Sequence, residues 1–362
     1  MHKRALTKPD GRALLLYGRD PIPSDVVAPS PNPLPSGATS HLRWHPLRGE
    51  WVAYASHRQN RTFLPPAEYN PLAPTTDPAL PTELPAGTYD VAVFENLFPT
   101  LVPTASDPPD AIVDTRAGRG ACEVVVFTQD PRASLATLPL WHLRLVIDVW
   151  ADRYRELGAR DDVSYVFEFE NRGVEVGVTL AHPHGQIYAY PFVPPVAARE
   201  LMLQREHLRA HGRGLLEDHL AAEIADGRRV LYRSGLAVAV LPVCARYSYE
   251  VWVAPLRPAP SVADLTGDER DEVARALKTV LLKFDRLWGT PFPYVMVIHQ
   301  APTDGEPHPE AHVHIEFYPA YRMPARLKYL AGSELGAGVF TADTLPEEKA
   351  RELQAVVADP DE

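Results

Sequence analysis

Two stretches of this chain, about 130 residues apart, end in nearly the same way. The first is Ala181-His182-Pro183-His184-Gly185-Gln186-Ile187-Tyr188, and the second is Ala311-His312-Val313-His314-Ile315-Glu316-Phe317-Tyr318. Each is preceded by a helical pattern, a strand pattern and a polar turn. In residues 138–158, Leu143, Val146, Ile147 and Trp150 recur at helical spacing. A strand is expected at 163–170, a turn at Asn171-Arg172-Gly173, and a second strand near His184. The same order returns as a helical segment at 197–225, strands near 229–233, 236–242 and 249–255, a helix at 267–287, a strand at 293–299 and a strand at 312–318. Thr266 and Glu269 stand where a capping box would open the 267–287 helix. The repetition is a degenerate internal duplication. It predicts an α+β fold of two similar halves, residues 1–195 and 196–362, each with an antiparallel sheet and packed helices. Before them, residues 4–18 read as a hairpin turning at Pro9-Asp10-Gly11, and segments 50–56, 89–95 and 122–128 read as strands.

The bulk properties narrow the function. The chain has 362 residues, enough for one large or two ordinary domains. No apolar run is long enough to span a bilayer, and the opening MHKRALTKPDGR lacks the apolar core of a signal peptide. Two cysteines, Cys122 and Cys244, are too few for a disulfide framework. The expectation is a cytoplasmic protein without a membrane partner. The net charge of −11 comes with no basic run, which argues against a nucleic-acid partner. Phosphates would have to be held by a local device: a few arginines, a metal or backbone amides.

A lone histidine is usually structural. Two His-x-His pairs, each closing a duplicated unit, are harder to explain by packing. Alternate residues of a strand share a face, so His182 and His184 are expected to point one way, as are His312 and His314. Two chemistries use such groups. Three histidines with a carboxylate suit a divalent metal. One oriented imidazole can attack phosphorus and divide a transfer into two easier steps. The anionic substrate repels a nucleophile, so donors to the non-bridging oxygens are also required.

Several motifs, in order, resemble the galactose-1-phosphate uridylyltransferase family, a branch of the histidine-triad superfamily. They are His57-Arg58-Gln59-Asn60-Arg61, Phe94-Glu95-Asn96-Leu97-Phe98, Phe169-Glu170-Asn171-Arg172-Gly173, His182-Pro183-His184-Gly185-Gln186, Ala311-His312-Val313-His314 with Phe317-Tyr318-Pro319, and Lys328 to Glu334. The resemblance covers about residues 40–350 and implies a histidine-triad-like duplicated fold. It implies His184 as the nucleophile that takes a uridylyl group from UDP-glucose, with Gln186 bonded to the transferred phosphoryl group. Glutamine can donate a hydrogen bond but cannot serve as acid or base, which favours transfer over hydrolysis. By the same resemblance, Arg58 and Arg61 contact phosphate, Asn171 lies near the phosphates or serves only as a turn residue, Thr179 is a further substrate-binding residue, and Phe94, Asn96 and Phe98 form the nucleoside pocket. Lys328 and Glu334 contact the hexose, with Ser333 standing where some members have tyrosine.

The resemblance further implies one divalent metal, iron or zinc, held by Glu200, His299, His312 and His314. Many members hold a second zinc with a Cys-x-x-Cys pair, a distant histidine and the first signature histidine. Here Tyr69 to Thr76 contains no cysteine, and the distant position is Pro131. The second site is therefore expected to be absent, with His182 a hydrogen-bonded structural residue. The implied partners are UDP-glucose, galactose-1-phosphate and a second copy of the chain in a homodimer. ADP-sugar and dinucleoside-polyphosphate phosphorylases share the His-x-His-x-Gln chemistry and are the alternative. A nucleotide-binding protein without turnover and a metallohydrolase are the rivals from other classes.

Overall fold

A computed structural model describes residues 1–32, 39–60 and 69–362. The first half contains β1 (His2–Thr7), β2 (Ala13–Gly18), β3 (His41–His45), β4 (Glu50–Tyr54), β5 (Val91–Glu95), β6 (Thr115–Ala117) and β7 (Ala121–Val126). It continues with α1 (Leu140–Gly158), β8 (Tyr165–Arg172) and β9 (His184–Tyr190). The second half contains α2 (Pro195–His211), α3 (Leu215–Asp226), β10 (Val230–Arg233), β11 (Ala237–Val240) and β12 (Val251–Pro255). It ends with α4 (Gly267–Leu287), β13 (Tyr294–His299), β14 (His314–Pro319), β15 (Tyr321–Met323), β16 (Arg326–Leu327) and α5 (Pro346–Gln354).

Eleven strands form one sheet in the order β1-β2-β5-β7-β9-β8-β13-β14-β12-β11-β10. The order is a mirror about the β8–β13 pair. β9 sits beside β8 as β14 sits beside β13, and β7 lies outside β9 as β12 lies outside β14. All these pairings are antiparallel. The two expected sheets are thus one continuous sheet, joined where Phe169 to Arg172 pairs with Tyr294 to Val297.

One face of the sheet carries α1 and α4. Their apolar stripes, including Leu143, Val146, Ile147 and Trp150 of α1 and Val273, Leu277, Val280 and Phe284 of α4, share a single core with strand residues from both halves. The capping box at α4 is present: Thr266 Oγ1 accepts from Glu269 N at 3.2 Å, and Glu269 Oε2 accepts from Thr266 N at 2.8 Å. The opposite face is covered in the first half by residues around Leu72, Leu84 and Tyr89, and in the second by α3.

Three local expectations are corrected. The helical segment 197–225 is two helices, because Gly212 takes a left-handed φ of 69° and ends α2. Strand β14 starts at His314 and not at 312, and β9 starts at His184. Strand alternation therefore does not relate the two histidines of either pair. In the first pair Pro183 has no N–H to join a ladder; in the second, Val313 N is drawn out of register to Ala259 O at 2.8 Å.

Candidate active site

Strand β9 alternates strictly between buried and half-buried residues. Gly185, Ile187 and Ala189 face the helices, while His184, Gln186 and Tyr188 face the other side. Gly185 cannot carry a side chain, because a Cβ there would lie 2.8 Å from the Phe127 ring and 2.9 Å from Phe169 O. The strand is thereby pressed onto its neighbours, and His184 sits at its first ladder position opposite Val126.

The His184 ring is oriented by its own chain. Its Nδ1 lies 2.7 Å from His182 O, and a carbonyl can only accept, so the proton is on Nδ1 and the Nε2 lone pair is free. Burial holds the His184 pKa below the ordinary 6.5, outweighing the raising effect of that backbone hydrogen bond. The ring is therefore neutral at physiological pH, with Nε2 open to act as a nucleophile. The rate of its modification by a phosphoanhydride should be flat from about pH 8 down to about pH 6.5 and should fall only below that. A rate that already halves between pH 8 and 7, measured by rapid quench, would contradict this assignment.

His184 stands between two cavities. One, of about 170 Å³, is lined by Arg58, Glu83, Phe94, Asn96, Phe98, Thr179, His184 and Gln186, together with apolar residues such as Leu72 and Val124. The other, of about 920 Å³, is lined by His184 with Asn171, Arg172, His182 and Pro183, and also by Trp288, Phe292 and Tyr321. Arg58 is held at the first cavity by donating from Nη1 to Phe98 O at 2.7 Å, and Asn96 Oδ1 accepts from Phe98 N at 2.8 Å. Asn171 lies at the end of β8, where the chain turns through Gly173. A φ of 97° and a Pro293 Cβ only 2.7 Å from any added Cβ require glycine at that turn. Arg61 lies outside the described residues.

Two groups of the Phe169–Gly173 motif, not singled out individually from the sequence, also belong to this site. Glu170 is buried on the larger cavity, and burial pushes its pKa up to about 7, against the lowering effects of Arg172 and of the Tyr294 hydroxyl that donates to it at 2.9 Å. Arg172 forms a bidentate pair with Asp285 of α4, at 2.7 and 3.0 Å, which ties the strand end carrying Asn171 to the helix layer. Both depend on the β8–β13 register.

The second pair of histidines sits at the matching place in the other half. His314 Nδ1 lies 2.9 Å from His312 O, as His184 lies from His182. His182 and His312 are both buried, with Nε2 at 2.7 Å from Thr128 O and 2.8 Å from Pro255 O. Glu200, His299 and His314 bring one ligand atom each within 4.8 Å of one another. His299 Nδ1 is 2.5 Å from Glu200 Oε2. His312 falls outside that grouping but lines the same small cavity of about 10 Å³, and its Nδ1 is buried with no hydrogen-bond partner. Burial lowers the His314 pKa, but the Glu316 carboxylate outweighs this and raises it to about 9; Glu316 falls in turn to about 2. A carboxylate, clustered imidazoles and an unpartnered nitrogen form a donor set that fits a divalent cation.

Lys328 and Glu334 are not brought to His184 within one chain. They lie 3.5 Å apart in a separate cavity of about 360 Å³, lined also by Arg322, Tyr329, Ser333 and Thr341, which shares no residue with either cavity at His184. No helix of the structure, among the described residues, is long and apolar enough to cross a membrane.

Comparison with known proteins agrees with this geometry. Residues 32–194 match the family described as galactose-1-phosphate uridyl transferase, N-terminal domain, and residues 200–359 match its C-terminal domain. The galactose-1-phosphate uridylyltransferase of Thermotoga maritima is 36% identical over 320 residues, covering 86% of this chain and 97% of that protein. That of Streptomyces lividans is 39% identical over 312 residues, covering 83% and 81%. A solved uridylyltransferase structure superposes with a TM-score of 0.79 at 32% identity, covering 87% of this chain and 98% of that one. The chain belongs to the galactose-1-phosphate uridylyltransferase family.

Proposed function

We propose that this chain is a UDP-glucose:hexose-1-phosphate uridylyltransferase that passes UMP from UDP-glucose to galactose-1-phosphate through a uridylyl-His184 intermediate. The observation that carries the reading is the free Nε2 lone pair of a neutral, carbonyl-oriented His184, with Gln186 beside it, between two cavities. Nε2 attacks the α-phosphorus, an N–P bond forms, and the P–O bond to glucose-1-phosphate breaks. The leaving group is itself a phosphate and needs no strong general acid. The adduct places positive charge on the ring, and the Nδ1–H bond to His182 O stabilises it. Arg58, Arg61, Asn171, Thr179 and Gln186 are the proposed phosphate contacts, and Phe94, Asn96 and Phe98 the nucleoside wall. A phosphate oxygen of galactose-1-phosphate then attacks, the N–P bond breaks, and UDP-galactose leaves.

Glu200, His299, His312 and His314 would hold one divalent ion. When bound, it would cross-link α2 to β13 and the segment leading into β14, bracing the fold. The residues at the second position do not fit a metal. His182 Nδ1 takes a hydrogen bond from Asn70 Nδ2 at 3.0 Å, and its Nε2 bonds Thr128 O. The division near residue 195, a cytoplasmic location and a homodimer in which Lys328 and Glu334 reach the neighbouring chain's site complete the proposal.

The test is intact mass at alkaline pH after incubation with UDP-glucose, with ADP-glucose in parallel. The expected result is a uridylyl gain that disappears on adding galactose-1-phosphate. An adenylyl gain discharged by inorganic phosphate would replace the proposal with a phosphorylase. No gain with either donor would remove the covalent step.

A further inference from the structure

The hairpin β1–β2 precedes residue 32, where the family match begins. Its turn is nevertheless among the most buried polar parts of the molecule. The Lys8 side chain is 0% exposed. Its Nζ donates to Glu83 O at 2.6 Å and to the Glu83 carboxylate. Arg12 donates from Nη2 to Glu83 Oε2 at 2.8 Å, from Nε to Asp10 Oδ2 at 2.9 Å and from Nη1 to Glu95 O at 2.9 Å. Two cations and two carboxylates close a neutral buried cluster, which is the condition under which charges tolerate burial. Both cations also lie over the Phe94 ring, at 5.0 and 6.0 Å.

Glu83 belongs to a segment that folds back on itself. Glu83 N donates to Pro71 O at 2.9 Å, Thr82 Oγ1 donates to Ala73 O at 2.6 Å, and Pro74 bridges Leu84. At the start of that segment, Asn70 bonds His182, and the His182 carbonyl orients His184. Residues 69–76 are where the resemblance would place the cysteine pair of a second zinc, and they contain none.

We infer that the buried Lys8–Glu83–Arg12–Asp10 cluster anchors the 70–84 segment and, through Asn70 and His182, sets the orientation of His184. Lys8 and Arg12 are positioning residues. The consequence for His184 rests on the reading of His184 as nucleophile; the anchoring does not.

Native-state hydrogen exchange read by mass spectrometry tests this on the unaltered protein. Residues 2–18 and 70–84 should open together as denaturant rises, as one cooperative unit. In Lys8→Met, exchange in 70–84 should rise about tenfold or more while α4 stays unchanged, because a buried carboxylate loses one partner. Arg12→Lys keeps the charge but loses the fork, and should give a smaller rise in the same segment. Uridylyl transfer onto His184 in Lys8→Met should slow by a similar factor, with KM for galactose-1-phosphate little changed. Independent opening of 2–18 and 70–84 in the unaltered protein would overturn the inference even if Lys8→Met failed to fold. So would unchanged exchange of 70–84 in a folded Lys8→Met. Coupled opening in a protein that takes no uridylyl group would leave the anchor standing and defeat the nucleophile reading alone.

Discussion

A His184→Ala chain given UDP-glucose should gain no mass, and its turnover should fall by at least about four orders of magnitude. The hydrogen bonds of the neighbouring imidazole keep it from substituting. Nε2 of His182, buried nearby, is committed to Thr128 O, and its Nδ1 to Asn70. Gln186, two residues along the same strand face, is not a useful nucleophile. Nucleotide affinity should survive, because the proposed donors to phosphate lie on other residues. The same variant locates the hexose contacts. If Lys328 and Glu334 serve a neighbouring chain, mixing His184→Ala with Lys328→Ala chains should restore about a quarter of wild-type activity. Half of randomly paired dimers are mixed, and each mixed dimer holds one complete site of two. No recovery after verified subunit exchange would place those residues in the active site of their own chain, or in none.

The second large effect concerns the cation. His299→Ala should reduce bound divalent metal from about one per chain to near none. The lost stability should be about 4 kcal/mol where free metal stands a thousandfold above its dissociation constant. Glu200 comes from α2, His299 ends β13, and His314 begins β14, so an ion bound there would tie a helix to two adjacent strands near the middle of the sheet. Removing a ligand leaves the Glu200 carboxylate facing a partly buried site with fewer partners. Thermal unfolding with metal analysis on the same sample measures both quantities. Metal that stays at one per chain in His299→Ala would contradict the ligand set. If the ion only braces the fold, still-folded protein stripped by a chelator should form the His184 adduct at its usual rate.

Much of the site was legible in the linear chain, because its signals are local. His-Pro-His-Gly-Gln is contiguous, and strand alternation places His184 and Gln186 on one face once the strand begins. The α4 cap follows from a threonine and a glutamate three residues apart. The Asn70–His182 bond agrees with reading His182 as a hydrogen-bonded residue. Other features were not legible. The break at Gly212-Arg213-Gly214 was masked because a helical pattern resumes directly beyond it. The shift of β14 to His314 depended on Ala259 capturing the Val313 amide.

What the sequence alone determined was the residue types at the candidate site and the helical and strand periods, because each rests on neighbours within a few positions, and the duplication, because each copy carries those local patterns in the same order. The tertiary structure alone decided how the halves join. Pairing β8 with β13 brings together residues some 120 positions apart, makes one sheet of two, and sets Arg172 against Asp285 and Glu170 against Tyr294. It also carried Lys8 and Arg12 to Glu83, and kept Lys328 and Glu334 away from His184 in their own chain. The physical reason is the same in each case. Register and burial depend on complementary surfaces that meet only after collapse, and a buried charge reveals its role only when its partner is beside it.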